Sequence, residues 1–318
     1  MIRIGIIGAG PNGSGNAENL AKHNTRCRIT AVSDPVKAAA EKLAATYSAK
    51  VCATPAQLFE FVDAVVISSP NFLHTEQALE AAAAGKHMLI EKPMALSVAD
   101  ADTIVAAVEK AKLKSMIGFS VRFGGLCVQI KSMYEAGDCG ELISIWSRRL
   151  CDISVPDGHW RNQFVKSGGV MSELISHEID FIVSTVGAPS SVYCRKASRL
   201  NDDPRANDHI WLTMGFANGG TGTIEGSQMS TVAEYYKGLV GKKGALHSRN
   251  WQSELYFGNH QSEANKVPLP QDIDKHDHFL SVIEGKCESC ADVKYGRLIA
   301  LITEKALESA VTGQSVKI

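Results

Sequence analysis

The sequence predicts an α/β chain in two parts: a doubly wound parallel sheet at the N-terminus, then an α+β domain built on a large open mixed or antiparallel sheet. Three observations predict it. From Met1 to about Ser120, β-branched apolar runs alternate with alanine-rich segments of helical composition, the rhythm of βαβ units. A glycine-rich turn, Gly8-Ala9-Gly10-Pro11-Asn12-Gly13, follows the first of these runs directly. After Ser120 the rhythm changes and long strand-like runs dominate.

The elements follow in order. Strands are predicted at IRIGII, RITAVS, AVVISS, HMLIE and KSMIGFS, and the last brings the first domain to about residue 119. A helix over Phe72–Ala84 ends at Gly85, and Ser97 can cap the next, which runs to about Lys112. The second domain, 120–318, is expected to hold a helix near Gly125–Ala136, a strand Glu141–Asp152 and a helix from about Gly169 to Val186. HIWLTMGF and TGTIEGSQM flank Asn218-Gly219-Gly220, a hairpin signal because glycine accepts the positive φ of tight turns. Val293–Thr312 reads as a helix closed by Gly313.

Composition narrows the function classes. Charged residues are 21% of the 318 and the net charge is −1, so no global field favours nucleic acid or an anionic membrane, and a small-molecule partner is expected. No apolar run reaches the roughly 20 residues of a membrane-spanning helix. The N-terminus enters a strand at once, without a basic leader, and a cytoplasmic protein is expected. Eight scattered cysteines fit a reducing compartment. Cys287 and Cys290 have metal-like spacing, but no second such pair or histidine pair completes a ligand set, so no metal is expected.

Gly8, Gly10 and Gly13 form GxGxxG between a strand and a helix. The first permits the tight turn, the second the approach of a pyrophosphate, the third close packing of helix on strand. Pro11 suits the first helical turn, and with Asn12 it belongs to the phosphate-facing N-terminus. Asp34 ends the second strand about twenty residues on, where it can accept hydrogen bonds from the adenosine ribose hydroxyls. This is the dinucleotide-binding signature of a Rossmann domain. NAD is favoured because Asp34 would repel a 2′-phosphate, and Lys37 close by leaves NADP open.

Two further features carry chemistry. Glu91-Lys92-Pro93 ends the fourth of these runs, placing Lys92 at the carboxyl edge where open α/β sheets bind ligands; there it can hydrogen-bond a reacting oxygen. In GGVMSELISHEID, Glu173, His177 and Asp180 recur at i, i+4 and i+7, one face of a helix. Histidine titrates near neutrality and can take the hydroxyl proton when an alcohol loses hydride, with Glu173 orienting it or holding a substrate hydroxyl.

Together these blocks resemble the Gfo/Idh/MocA family, the glucose–fructose oxidoreductase and inositol dehydrogenase group. GIIGAG, AVSDP, SSPNFLHTEQALEAAAAGKHMLIEKPMAL, the GGxxxExxxHxxD run and ESAVTGQSVKI come in family order along the whole length. The resemblance implies a Rossmann domain and an open-faced sheet domain that often builds homodimers or homotetramers. It implies that Lys92 contacts substrate and nicotinamide and that His177 is the general acid/base. It places Ser69, Pro70, Asn71 and His74 near the cofactor ribose with Glu91 beside them. Trp160 and Arg161 resemble the family's substrate loop, and Arg122 and Asp180 join the expected substrate set. The chain departs from the pattern in having Glu173 where aspartate is usual and Ile175 where glycine is usual, both of which bear on substrate geometry.

The expected function is hydride transfer between NAD and a secondary alcohol or ketone of a sugar, cyclitol or related polyol. Two alternatives stand beside it: a redox-neutral NAD-dependent enzyme that cleaves or isomerises glycosides, and a non-catalytic nicotinamide sensor.

Overall fold

The computed structural model describes residues 1–153, 155–156, 158–198 and 208–318. They form two compact units, Met1–Gly118 with Asp274–Ala300, and Phe119–Ile273 with Leu301–Ile318.

The first unit runs β1 (Ile2–Ile7), α1 (Pro11–Ala21), β2 (Cys27–Ser33), α2 (Lys37–Tyr47), β3 (Lys50–Cys52), α3 (Pro55–Phe59), β4 (Ala64–Ile67), α4 (His74–Ala83), β5 (His87–Ile90), α5 (Val98–Lys110) and β6 (Ser115–Ile117). Its six strands are parallel in the order β3-β2-β1-β4-β5-β6. The order reverses beside β1, which is the switch point of a doubly wound sheet. The central β4, Ala-Val-Val-Ile, is buried at every residue, as a parallel strand covered on both faces must be. Ser97 caps α5 by accepting the Asp100 N–H at 3.0 Å, and Gly85 ends α4 at φ +71. The expected helix start at Phe72 is instead a 3₁₀ turn, Asn71–Leu73, leading into α4.

The second unit carries α6 (Gly125–Glu135), β7 (Leu142–Asp152), α7 (Phe164–Ser167), a π turn at Met171–Ile175, α8 (Ser176–Val186), and strands β8 (Ser191–Ala197), β9 (His209–Gly215), β10 (Thr221–Ser227), β11 (Met229–Gly241), β12 (Gly244–Arg249), β13 (Glu254–Asn259) and β14 (Ser262–Val267). Helices α9 (Lys275–Ile283) and α10 (Val293–Thr312) and the short β15 (Val316–Lys317) complete the chain. The nine strands lie in the order β14-β13-β12-β11-β7-β10-β9-β8-β15, with β7 and β10 parallel and the other neighbours antiparallel. The fold class is therefore the expected one. The β9–β10 hairpin pairs Gly215 with Thr221, and its turn is closed by Asn218 accepting the Gly220 N–H at 3.0 Å, with Gly219 at φ +84.

One cross-strand row faces inward, Cys194, Leu212, Ile224, Ser147 and Lys237, all buried. Next to it, the row containing Arg195, Trp211, Glu225 and Arg148 faces outward, with Trp211 49% exposed. Helix α8 covers the inner face, packing on β7 and β10.

The boundary between the units falls at Gly118 and Phe119, one residue from the expected end at 119, but Asp274–Ala300, expected in the second block, clusters with the first unit. Long-range polar bonds hold it there: Arg26 binds Asp277 (2.6 Å) and Glu284 (2.7 Å), and His23 binds Asp274 (2.8 Å). Such pairings leave no trace in local periodicity.

Candidate active site

In the first unit, β1 turns at Gly8, whose φ of +95 suits glycine alone. A Cβ on Gly13 would lie 1.8 Å from the Gly8 carbonyl oxygen, so α1 can approach β1 only because that side chain is absent. At Gly10 an added Cβ would meet nothing within 4 Å, leaving the turn open on that side. Pro11 is at the first helical position, and the first turn of α1 holds no acidic residue and no side-chain cap. Its N–H groups, Asn12 and Gly13 among them, are thus available to an anion, and the cradle fits a dinucleotide pyrophosphate. Asp34 accepts the Ala9 N–H and the Val36 N–H, both at 2.7 Å. It braces the glycine turn and retains acceptor capacity for ribose hydroxyls.

The loop after β4 is tied down from within. Ser69 donates to Gln77 at 2.6 Å, Pro70 precedes the 3₁₀ turn, and Asn71 is buried. His74, 1% exposed, contacts the Ser69 carbonyl through Nε2 (2.9 Å) and the Pro93 carbonyl through Nδ1 (2.8 Å). Burial outweighs these acceptors and keeps its pKa below the ordinary imidazole value, so the neutral ring donates to one carbonyl at a time. It clamps the expected cofactor loop to the Lys92–Pro93 segment. Glu91 is buried as well. It is 9% exposed and accepts from Asn16 Nδ2 (3.0 Å) and Lys275 Nζ (3.1 Å). Burial opposes its charge, but Lys275, Asn16 and Lys92 together hold its carboxyl below the usual range. His276 Nε2 donates to Asn16 Oδ1 at 2.8 Å, and burial lowers the His276 pKa to about 4. Lys92 follows Glu91 directly at the carboxyl edge of the sheet, half-buried. Asn16, Lys275 and His276 carry no motif of their own, and sequence reading missed them.

In the second unit, His177 is the second residue of α8, 8% exposed, with the Phe119 ring edge-on to its imidazole at 6.4 Å. The expected helix face is altered upstream, because Glu173 lies in the π turn and not in α8. Glu173 accepts from Arg161 Nε at 2.9 Å, and the Arg161 guanidinium lies 5.2 Å from the Trp160 ring centre. Arg122, placed with Asp180 in the expected substrate set, is ion-paired with Asp180, which is fully buried. Its Nε lies 3.1 Å from Asp180 Oδ2 and its Nη2 bonds Oδ1. The pair ties Arg122 to α8. Next to His177, Glu178 is buried and receives Lys237, Arg149 (3.1 Å), Ser147 (2.5 Å) and Tyr235 (3.0 Å). Burial opposes its ionisation, but Lys237 and Arg149 outweigh burial and hold it charged. The unusual Ile175 is also accounted for: it is fully buried, and a Cβ on Gly226 of β10 would lie 2.1 Å from its Cδ1. The isoleucine fills space that a glycine on the strand leaves.

Residues 2–119 match the model of an oxidoreductase family with an NAD-binding Rossmann fold, and residues 127–247 match the GFO/IDH/MocA C-terminal domain. The chain belongs to the Gfo/Idh/MocA family. Its first unit is the NAD-binding domain of a family oxidoreductase. Among curated relatives of this Gfo/Idh/MocA chain, an inositol 2-dehydrogenase of Rhizobium meliloti is 29% identical, covering 78% of the chain and 76% of the relative. A 2,7-anhydro-N-acetylneuraminate hydratase of Escherichia coli is 27% identical, covering 77% and 67%. The fold matches a levoglucosan dehydrogenase solved with NADH and levoglucosan, with a TM-score of 0.90 at 21% identity over 100% of this chain and 99% of that one. No helix among the described residues is long and apolar enough to cross a membrane.

Proposed function

We propose that this protein transfers a hydride between NAD and a secondary alcohol or ketone of a sugar, cyclitol or related polyol. The observation that carries the reading is Lys92, held at the carboxyl edge of the NAD-binding sheet by the Glu91 and His74 network. The nicotinamide, when bound, supplies the hydride acceptor or donor. Gly8, Gly10, Pro11, Asn12 and Gly13 receive the pyrophosphate, and Asp34 the adenosine ribose. Ser69, Pro70 and Asn71 border the nicotinamide side. Lys92 donates a hydrogen bond to the reacting oxygen, stabilising the charge that develops there. His177 takes the hydroxyl proton in oxidation and returns it in reduction. Glu173, Arg161 and Trp160 shape the substrate end, with Glu173 orienting Arg161, and the Arg122–Asp180 pair fixes α8 behind them.

Absorbance of reduced nicotinamide, followed with NAD or NADP and a panel of inositols, sugars and their keto forms, tests the reading. A signal with one polyol supports it; silence across the panel with NAD bound overturns it. The hydratase relative favours a second reading, in which NAD is reduced and reoxidised within one turnover and no net NADH appears. Product analysis by NMR on an anhydro-sugar or glycoside separates the two.

His177→Ala should lower turnover by roughly 10²–10⁴ while leaving NAD affinity nearly unchanged. The outward row of the nine-stranded sheet, with Trp211 exposed, supports self-association into a dimer or tetramer, readable by light scattering. Eight free cysteines support a cytoplasmic setting.

A further inference from the structure

The eight cysteines divide sharply. Cys27, Cys52, Cys127, Cys139 and Cys194 are buried, and burial raises all five thiol pKa values, to about 11 for Cys27 and Cys139 and to about 12 for Cys127 and Cys194. Cys151 is half-buried and raised for the same reason. Cys287 is half-buried and Cys290 exposed; they lie three residues apart in the segment joining α9 to α10, and both meet one imidazole. His278 of α9 accepts the Cys290 backbone N–H at Nε2 (3.2 Å) and places Nδ1 3.7 Å from Cys287 Sγ. A backbone amide can only donate, so Nε2 carries no proton and the neutral ring bears its hydrogen on Nδ1. That N–H points at the Cys287 sulfur, the arrangement that stabilises negative charge on a thiolate.

We propose that Cys287 and Cys290 form a thiol–disulfide exchange site for small disulfides, with Cys287 as attacking sulfur and Cys290 as resolving sulfur. The Cys287 thiolate attacks one sulfur of glutathione disulfide, forming a mixed disulfide and releasing one glutathione thiolate. Cys290, after losing its proton to solvent, attacks the Cys287 sulfur and displaces the second glutathione. Two protein thiols give up two electrons and two protons, and one glutathione disulfide becomes two glutathiones. The His278 N–H supports the first attack, and the buried thiols stay out of the reaction.

The test treats the full-length protein with glutathione disulfide, quenches with an alkylating agent, and locates modified cysteines by peptide mass spectrometry. The wild type should yield a Cys287–Cys290 cross-link, two hydrogens lighter than the dithiol, with the six other cysteines alkylated only after denaturation. Cys290→Ser should stop at glutathione on Cys287. His278→Phe should slow modification of Cys287 about tenfold, the size of a lost hydrogen bond to a charged group. Glutathione remaining on Cys287 in the wild type, glutathione on Cys290 in preference to Cys287, or equal rates with and without His278 in a variant of unchanged melting temperature would each overturn the assignment.

Discussion

Asn16 spends its whole side chain on the interior of the first unit. Its carbonyl accepts from His276, and its amide reaches the Asn12 carbonyl (3.0 Å), Ser68 Oγ (3.3 Å) and Glu91 (3.0 Å). One residue on α1 thereby links the helix that faces the pyrophosphate to the strand end that presents Lys92. His276 makes this arrangement sensitive to acid. The unfolded chain takes up the imidazole proton near 6.5, the folded chain only near about 4, so between those values the unfolded state binds more protons. Stability is full above about 6.5 and falls as pH drops toward about 4, by on the order of 3 kcal/mol. Glu91 and Asp274, with carboxyls held below their ordinary range, add losses of the same sign at lower pH. Urea unfolding of the wild type between pH 7 and pH 4.5 should show the decline. His276→Gln, which keeps an N–H donor but does not titrate, should flatten it.

At the scale of elements, α8 is fixed to its sheet by charge as well as by packing. Lys237 is fully buried in the inner row beside Ser147 and is tolerated because Glu178 meets it from the helix, one residue from His177. Lys237→Met, which leaves a buried carboxylate without its main partner, should cost roughly 3–5 kcal/mol in denaturant unfolding, and adding Glu178→Leu should recover much of it. The π turn before α8 has its own fit. Gly226→Val would drive a side chain into Ile175 and should cost about 1–3 kcal/mol, with Ile175→Ala restoring part of the loss. What was legible at this scale was local: the Ser97 cap, the Gly85 stop, the Asn218-Gly219-Gly220 turn and the glycines of the first loop each act on neighbours a few residues away. The π turn was not legible, because Ile175 is answered by a glycine 51 positions further on, in a different strand. The Arg122–Asp180 pair was hidden similarly, since its two partners stand 58 residues apart along the chain.

At the scale of the molecule, the family and both sheets could be read from ordered motifs, while the return of Asp274–Ala300 to the first unit could not. Nothing in KHDHFL signals that Lys275 and His276 complete a network begun at Asn16 and Glu91. Lys275→Met should therefore lower both stability and NAD affinity, since it leaves Glu91 buried without its cation; calorimetric melting and NAD titration of the same sample would measure the two together. A melting temperature equal to that of the wild type would remove Lys275 from the network.

The same return has a consequence in time. Translation proceeds in one direction, and Glu91 is polymerised 184 residues before Lys275. On the ribosome, the nucleotide-binding unit emerges without the segment that neutralises and covers its central carboxylate. Over that interval the carboxylate has to remain hydrated or protonated, and the unit stays open at the face where α9 later docks. Competence to hold the dinucleotide is thus acquired only once Lys275 has been made, although the glycine signature is polymerised before Glu91 itself.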